Sequence, residues 1–161
     1  MNLKTAKLIL DEYTLAEFPM KLFNPNLLLN FFKKQPFKYF EEDKDKFDEL
    51  PEIVEVWRGE CYDKYNEDII PMSWTTNQRV AKFFALRFRS LHKCWTLTKG
   101  FINKKDILFF TNARSEHEVI LDPKKLLYQS TISATHEPDC KRAFCRCSFD
   151  MKNIKHLERL K

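Results

Sequence analysis

Glycine is nearly missing from this chain. Its 161 residues contain two, Gly59 and Gly100. A dinucleotide-binding G-x-G-x-x-G turn needs three closely spaced glycines, and a Walker A loop needs two followed by Lys. Neither can be built here, so any nucleotide must be held without a glycine-rich phosphate cradle. Long apolar runs are lacking too. Leu27-Leu28-Leu29 and Phe31-Phe32 are far too short to span a bilayer. Near the start, only Leu8-Ile9-Leu10 precedes Asp11 and Glu12, too little for the apolar stretch of a signal peptide. Extended Lys/Arg runs and C-x-x-C pairs are also missing.

What is present is a chain of one-domain length, able to bury a substantial core. Fifteen Phe supply much of that core, and the 14% aromatic content excludes collagen-like and low-complexity readings. The balance of 28 Lys+Arg against 23 Asp+Glu leaves +5, a mild charge better read as a solvated surface than as a nucleic-acid footprint. Five cysteines make an odd number. The expectation is a soluble protein of a reducing cytoplasm with free thiols and no membrane contact.

Along the chain, residues 1–52 read as mostly helical and 53–161 as a β-rich core, within a single domain of α+β class. Asn24-Pro25-Asn26 starts a helix carrying Leu27, Leu28, Phe31 and Phe32 at helical spacing. Glu41 to Lys46 forms a solvated turn or helix face. Ile53 to Arg58 reads as a strand ending at Gly59. Residues 60–70 read as a loop and Met72 to Thr75 as a short strand. Thr76 or Asn77 then caps a helix with Val80, Phe83, Phe84, Phe88 and Leu91 on one side. Further strands are expected over 94–101, 106–110, 117–121, 126–133 and 142–149.

Three short segments could carry chemistry. In Ser115-Glu116-His117-Glu118 on a strand, residues two apart share a face, so Glu116 and Glu118 should project together. Such a carboxylate pair suits chemistry at a sugar carbon, one group steadying positive charge and the other handling a proton. Taken alone, Glu-x-Glu is more simply a polar strand face. Arg58 at a strand end can grip phosphate with its forked guanidinium. Gly59 beside it, having no Cβ, would let a ligand come close. Ser73 and Thr75 aim two hydroxyls alike, with Trp74 pointing away.

Taken together, Arg58-Gly59, then Ser73-Trp74-Thr75 with its following helix, then Glu116-His117-Glu118, resemble the Arg–Ser–Glu signature of ADP-ribosyltransferases. The layout is similar to small phage-encoded members, including an anti-CRISPR type. The resemblance covers Arg58 to Pro123; residues 1–52 and 124–161 contribute nothing to it. It implies a split β-sandwich core with a helical N-terminal region. It implies NAD as substrate, with no metal, and a macromolecular acceptor. A protein arginine in a host cell's cytoplasm is the first expectation, and a nucleic acid stays open. By that resemblance Arg58 contacts the NAD phosphates and Ser73 the nicotinamide ribose and the catalytic carboxylate. Thr75 fills the third place of the triplet. Glu118 is the catalytic glutamate, and Glu116 orients or deprotonates the acceptor. Phe84 is the candidate ring against nicotinamide, beside its plainer reading as core. Phe110 and Arg114 flank the acceptor loop. Trp74 departs from the small middle residue of many triplets.

Two alternatives remain beside this reading. One is an NAD glycohydrolase on the same scaffold, with water as acceptor. The other is a non-enzymatic inhibitor or adaptor binding an acidic partner, which would need none of Arg58, Ser73 or Glu118. His136, Cys140, Cys145 and Cys147 could also supply four zinc ligands, but their spacing favours reduced, partly buried cysteines.

Overall fold

A computed structural model describes residues 7–9, 12–13, 24–62, 70–86 and 94–135. The chain divides into two compact units, Met1–Gln35 and Pro36–Lys161. The helical-to-β change expected at 52/53 therefore falls inside the second unit. Among the described residues no helix is long and apolar enough to cross a membrane. The strand expected over 142–149 and the His136/Cys140/Cys145/Cys147 cluster lie outside the described residues.

The first unit contains helix α1, Pro25–Lys33. Asn24 starts it as expected. Its side-chain oxygen accepts the amides of Asn26 and Leu27 at 3.0 and 3.2 Å, and Pro25 stands where no N–H is needed. Leu28, Leu29 and Phe32 are buried, whereas Leu27 is exposed. Tyr13 meets Phe32 edge-on.

The second unit is α+β. Its six described strands are β1 (Ile53–Tyr62), β2 (Ser73–Thr75), β3 (Cys94–Asn103), β4 (Ile107–Thr111), β5 (Glu118–Leu121) and β6 (Tyr128–Thr135). They form one antiparallel sheet in the order β4-β5-β2-β1-β3-β6. The described strands are thus linked in one hydrogen-bonded ladder. That sheet has a seam. β1 and β2 are joined by one residue pair, Trp57 with Thr75, whereas β1 and β3 pair along all ten residues. The seam divides β4-β5-β2 from β1-β3-β6.

Alternation along β1 sends Val54 and Val56 to one face. There they join Trp74, Ile102, Ile107, Phe110 and Val119 in the main core. The segment before β1 packs on this core. Helix α2, Lys44–Asp48, contributes Phe47, whose ring lies 4.9 Å from Tyr39 and 6.0 Å from Phe110. Lys104 holds the end of α2, donating to the Asp48 and Leu50 carbonyls at 2.8 and 3.0 Å, where a cation suits the negative helix terminus. The charged stretch over 41–46 is not wholly solvated, since Asp43 is buried.

Helix α3, Gln78–Leu86, lies on the opposite face. Asn77 caps it, its side chain accepting the Arg79 amide at 2.9 Å. Of the expected apolar stripe, Phe88 and Leu91 lie outside the described residues, and Val80, Phe83 and Phe84 are not the buried positions. Ala81 and Ala85 are buried, Val80 and Phe84 are half-buried, and Phe83 is 63% exposed. The reason lies beneath the helix. β1 does not end at Gly59 but runs through it, and α3 sits directly on that glycine. A Cβ there would stand 1.7 Å from the Ala81 carbonyl oxygen and 2.7 Å from the Ala85 nitrogen. Only small residues allow so close a helix-to-strand contact. Gly59 is therefore required by packing, and the space expected for a ligand beside its Cα belongs to α3. Ala81 joins Trp57 and Leu97 in a second, smaller core on this face, and Trp95 packs against it.

Candidate functional site

The site forms where β2 crosses between β1 and β5. Antiparallel pairing sets Ser73 opposite Ile120 and Thr75 opposite Glu118. Ser73, Thr75 and Glu118 thus share one face, and Trp74 and Val119 share the other, in the core. The indole N–H of Trp74 donates to the Pro71 carbonyl at 2.6 Å, which fixes that ring away from the site.

The Ser73 hydroxyl donates to Glu118 Oε1 at 2.6 Å. Charge-assisted hydrogen bonds of this length are among the stronger ones. Glu118 is 8% exposed, so its carboxylate is a buried polar group held by a defined donor.

Arg58 comes from the other side of the seam. Its Nη1 donates to the Ser73 carbonyl at 2.6 Å. Continuing the Trp57–Thr75 register by two residues would set Gly59 opposite Ser73, but the ladder stops at the seam. The guanidinium supplies the Ser73 carbonyl with a hydrogen bond across that gap. Arg58 is also ion-paired with Glu60, two residues on. Nε donates to Glu60 Oε1 at 2.7 Å, and Nη2 reaches the same oxygen. A strand read as ending at Gly59 leaves Glu60 in the following loop. Extending it by two residues puts Glu60 on the Arg58 face.

The loop before β5 departs from the expected strand. Glu116 is not in β5, and it does not share a strand face with Glu118. It follows a turn of 3-10 helix over Ala113–Ser115 with helical φ and ψ, and the next residue, His117, has φ 48°. That left-handed residue breaks the alternation between the two glutamates. Ser115 is also left-handed, at φ 57°. Non-glycine residues rarely hold this conformation, at about 1 kcal/mol or more each. β2 holds the loop there. Thr75 Oγ1 donates to the Glu116 carbonyl at 2.6 Å and accepts the Asn77 amide at 3.0 Å. The Thr76 amide donates to the His117 carbonyl at 3.1 Å. The triplet hydroxyls therefore have separate tasks. Ser73 holds the buried carboxylate, and Thr75 holds the loop backbone at Glu116.

Hydrogen bonds thus link Arg58 to the Ser73 backbone, the Ser73 hydroxyl to Glu118, and Thr75 to the Glu116 backbone around the β1–β2–β5 crossing. Ser73, Thr75 and Glu118 share the Trp57 face, whereas Arg58 leaves β1 on the Val54 and Val56 side and reaches the Ser73 carbonyl at the seam. Phe110 is not part of this group. It is 1% exposed and packed in the main core against Phe47, so it has no surface for an acceptor. Arg114 lies in the 3-10 turn of the loop. Phe84 lies on α3, half-buried, with its ring 5.6 Å from that of Phe83. Among the described residues no group of His, Cys, Asp and Glu has the arrangement of a metal site. The chain matches no protein-family model, no curated protein and no solved structure.

Proposed function

We propose that this chain is a mono-ADP-ribosyltransferase that uses NAD as substrate and modifies a macromolecule, with a protein arginine as the first candidate acceptor. The observation that carries the reading is the 2.6 Å hydrogen bond from Ser73 to Glu118, beside an arginine bound to the Ser73 carbonyl. An Arg–Ser–Glu set of this kind suits the substrate. A guanidinium pairs with phosphate, and a fixed carboxylate with a hydroxyl suits a ribose edge. The seam between β1 and β2 also supports a split β core of the ADP-ribosyltransferase type, since it separates the strand bearing Arg58 from those bearing Ser73 and Glu118.

NAD brings a sugar carbon already bonded to a good leaving group. The protein's part is to position and to stabilise charge. In this scheme Arg58 anchors the diphosphate. Ser73 keeps the Glu118 carboxylate in one orientation, so its negative charge is in place before positive charge develops at the sugar carbon. That bond breaks with its electron pair leaving on nicotinamide. A new bond forms from the acceptor nitrogen to the same carbon, and the acceptor proton passes to Glu116 or water. Thr75 sets the position of Glu116 through its backbone, so the acceptor side is coupled to the ribose side through β2. The acceptor would be a host-cell protein if the chain acts as an effector.

The test is incubation of the purified protein with NAD labelled in its adenylate phosphate and a cell lysate. Transfer puts label in a macromolecular band and releases nicotinamide. Free ADP-ribose alone would make the enzyme a glycohydrolase. No consumption of NAD would refute the reading.

A further inference from the structure

We propose that Glu60 is an internal counter-ion that competes with the substrate diphosphate for Arg58, so that the binding arginine is released only when a diphosphate takes its place. This rests on the reading of Arg58 as the phosphate anchor. An arginine carries five N–H donors in a rigid fork. In this structure Nε and Nη2 are given to one carboxylate oxygen of Glu60, and Nη1 to the Ser73 carbonyl. The Nε/Nη2 edge is one that a phosphate can take side-on with two parallel hydrogen bonds. Glu60 therefore occupies a recognition edge, not a spare corner. The pair is only partly exposed, with 16% of the Arg58 side chain and 22% of the Glu60 side chain accessible, so solvent screens it incompletely.

Two consequences follow. Before binding, Glu60 neutralises a half-buried arginine and keeps its fork still beside the seam. When the diphosphate binds through that edge, the carboxylate yields it, and its charge repels the incoming diphosphate. Glu60 therefore trades affinity for pre-alignment, and it makes NAD affinity sensitive to one negative charge that never touches the reacting carbon. It is a positioning residue, acting through Arg58.

Glu60→Gln separates the two roles, because the amide oxygen still accepts from Arg58 while the charge is gone. Binding of NAD and of inorganic pyrophosphate is measured by calorimetry for wild type, Glu60→Gln and Arg58→Ala, with nicotinamide riboside as a ligand lacking the diphosphate. Glu60→Gln should bind both diphosphate ligands about tenfold more tightly, equal to about 1.4 kcal/mol. Riboside affinity should be unchanged, and Arg58→Ala should lose the diphosphate ligands. In turnover the gain should appear in KM and not in kcat. Equal or weaker NAD binding by a folded Glu60→Gln overturns the counter-ion role and leaves the NAD reading standing. Tighter pyrophosphate binding by Glu60→Gln with no NAD binding in any variant supports the counter-ion and overturns the NAD reading. Failure of every variant to bind either diphosphate overturns both.

Discussion

Replacing Gly59 with Ala tests the packing that holds β1 against α3. The new Cβ would fall 1.7 Å from the Ala81 carbonyl oxygen, 2.7 Å from the Ala81 carbonyl carbon and 2.7 Å from the Ala85 nitrogen. All three are backbone atoms of a helix, so no side chain can rotate away. α3 must move back from the sheet, and contacts among Trp57, Ala81 and Leu97 loosen with it. Overpacking of this kind costs about 2–4 kcal/mol. For a chain of this length that lowers Tm by roughly 5–15 °C. Gly100→Ala is the control. Its Cβ would first meet the tip of the Leu126 side chain at 3.0 Å, which can yield. It should cost less than about 1 kcal/mol. The assay is thermal unfolding of both variants followed by circular dichroism. Similar melting of Gly59→Ala and wild type would refute the helix-on-glycine packing. Any loss of NAD binding in Gly59→Val should likewise arise from displaced packing and not from a blocked ligand.

Phe110→Ala should destabilise by about 3–5 kcal/mol, whereas Phe83→Ala should stay within about 0.5 kcal/mol of wild type, since one ring is core and the other is exposed; chemical denaturation ranks them. Thr75→Val removes the hydroxyl that donates to the Glu116 carbonyl and accepts the Asn77 amide. It should cost about 1–3 kcal/mol and speed proteolysis within residues 111–117, while Ser73→Val should leave that loop as protected as in wild type.

Much of this fold is written locally. Asn24 with Pro25, Asn77 before α3, and the alternating Val54 and Val56 act through nearest neighbours, and each of these elements lies where its residues indicate. The departures arise from contacts between distant residues. The stripe of Val80, Phe83 and Phe84 looks like a helix's buried face. Two alanines are buried instead, because a glycine far back in the chain admits the helix backbone itself. Glu116 and Glu118 have the spacing of a shared strand face, but His117 is left-handed, held by Thr75 at the end of β2 and by Thr76 just after it. Phe110 reads from sequence as the end of an apolar strand at the acceptor loop, and Phe47 and Tyr39, brought in by the segment before β1, make it core. Glu60 was legible in principle as Arg-x-Glu along one strand face. A strand ended at Gly59 leaves it out, because a glycine that ends a strand and one that admits a helix look alike in sequence.

The most direct test of the central claim is nicotinamide release from NAD by Glu118→Gln. The amide oxygen can still accept from the Ser73 hydroxyl, so the geometry at β2 and β5 is kept while the charge is removed. The account predicts a folded variant with wild-type melting behaviour and at least about a 100-fold loss of nicotinamide release. A folded Glu118→Gln that releases nicotinamide at the wild-type rate would contradict it.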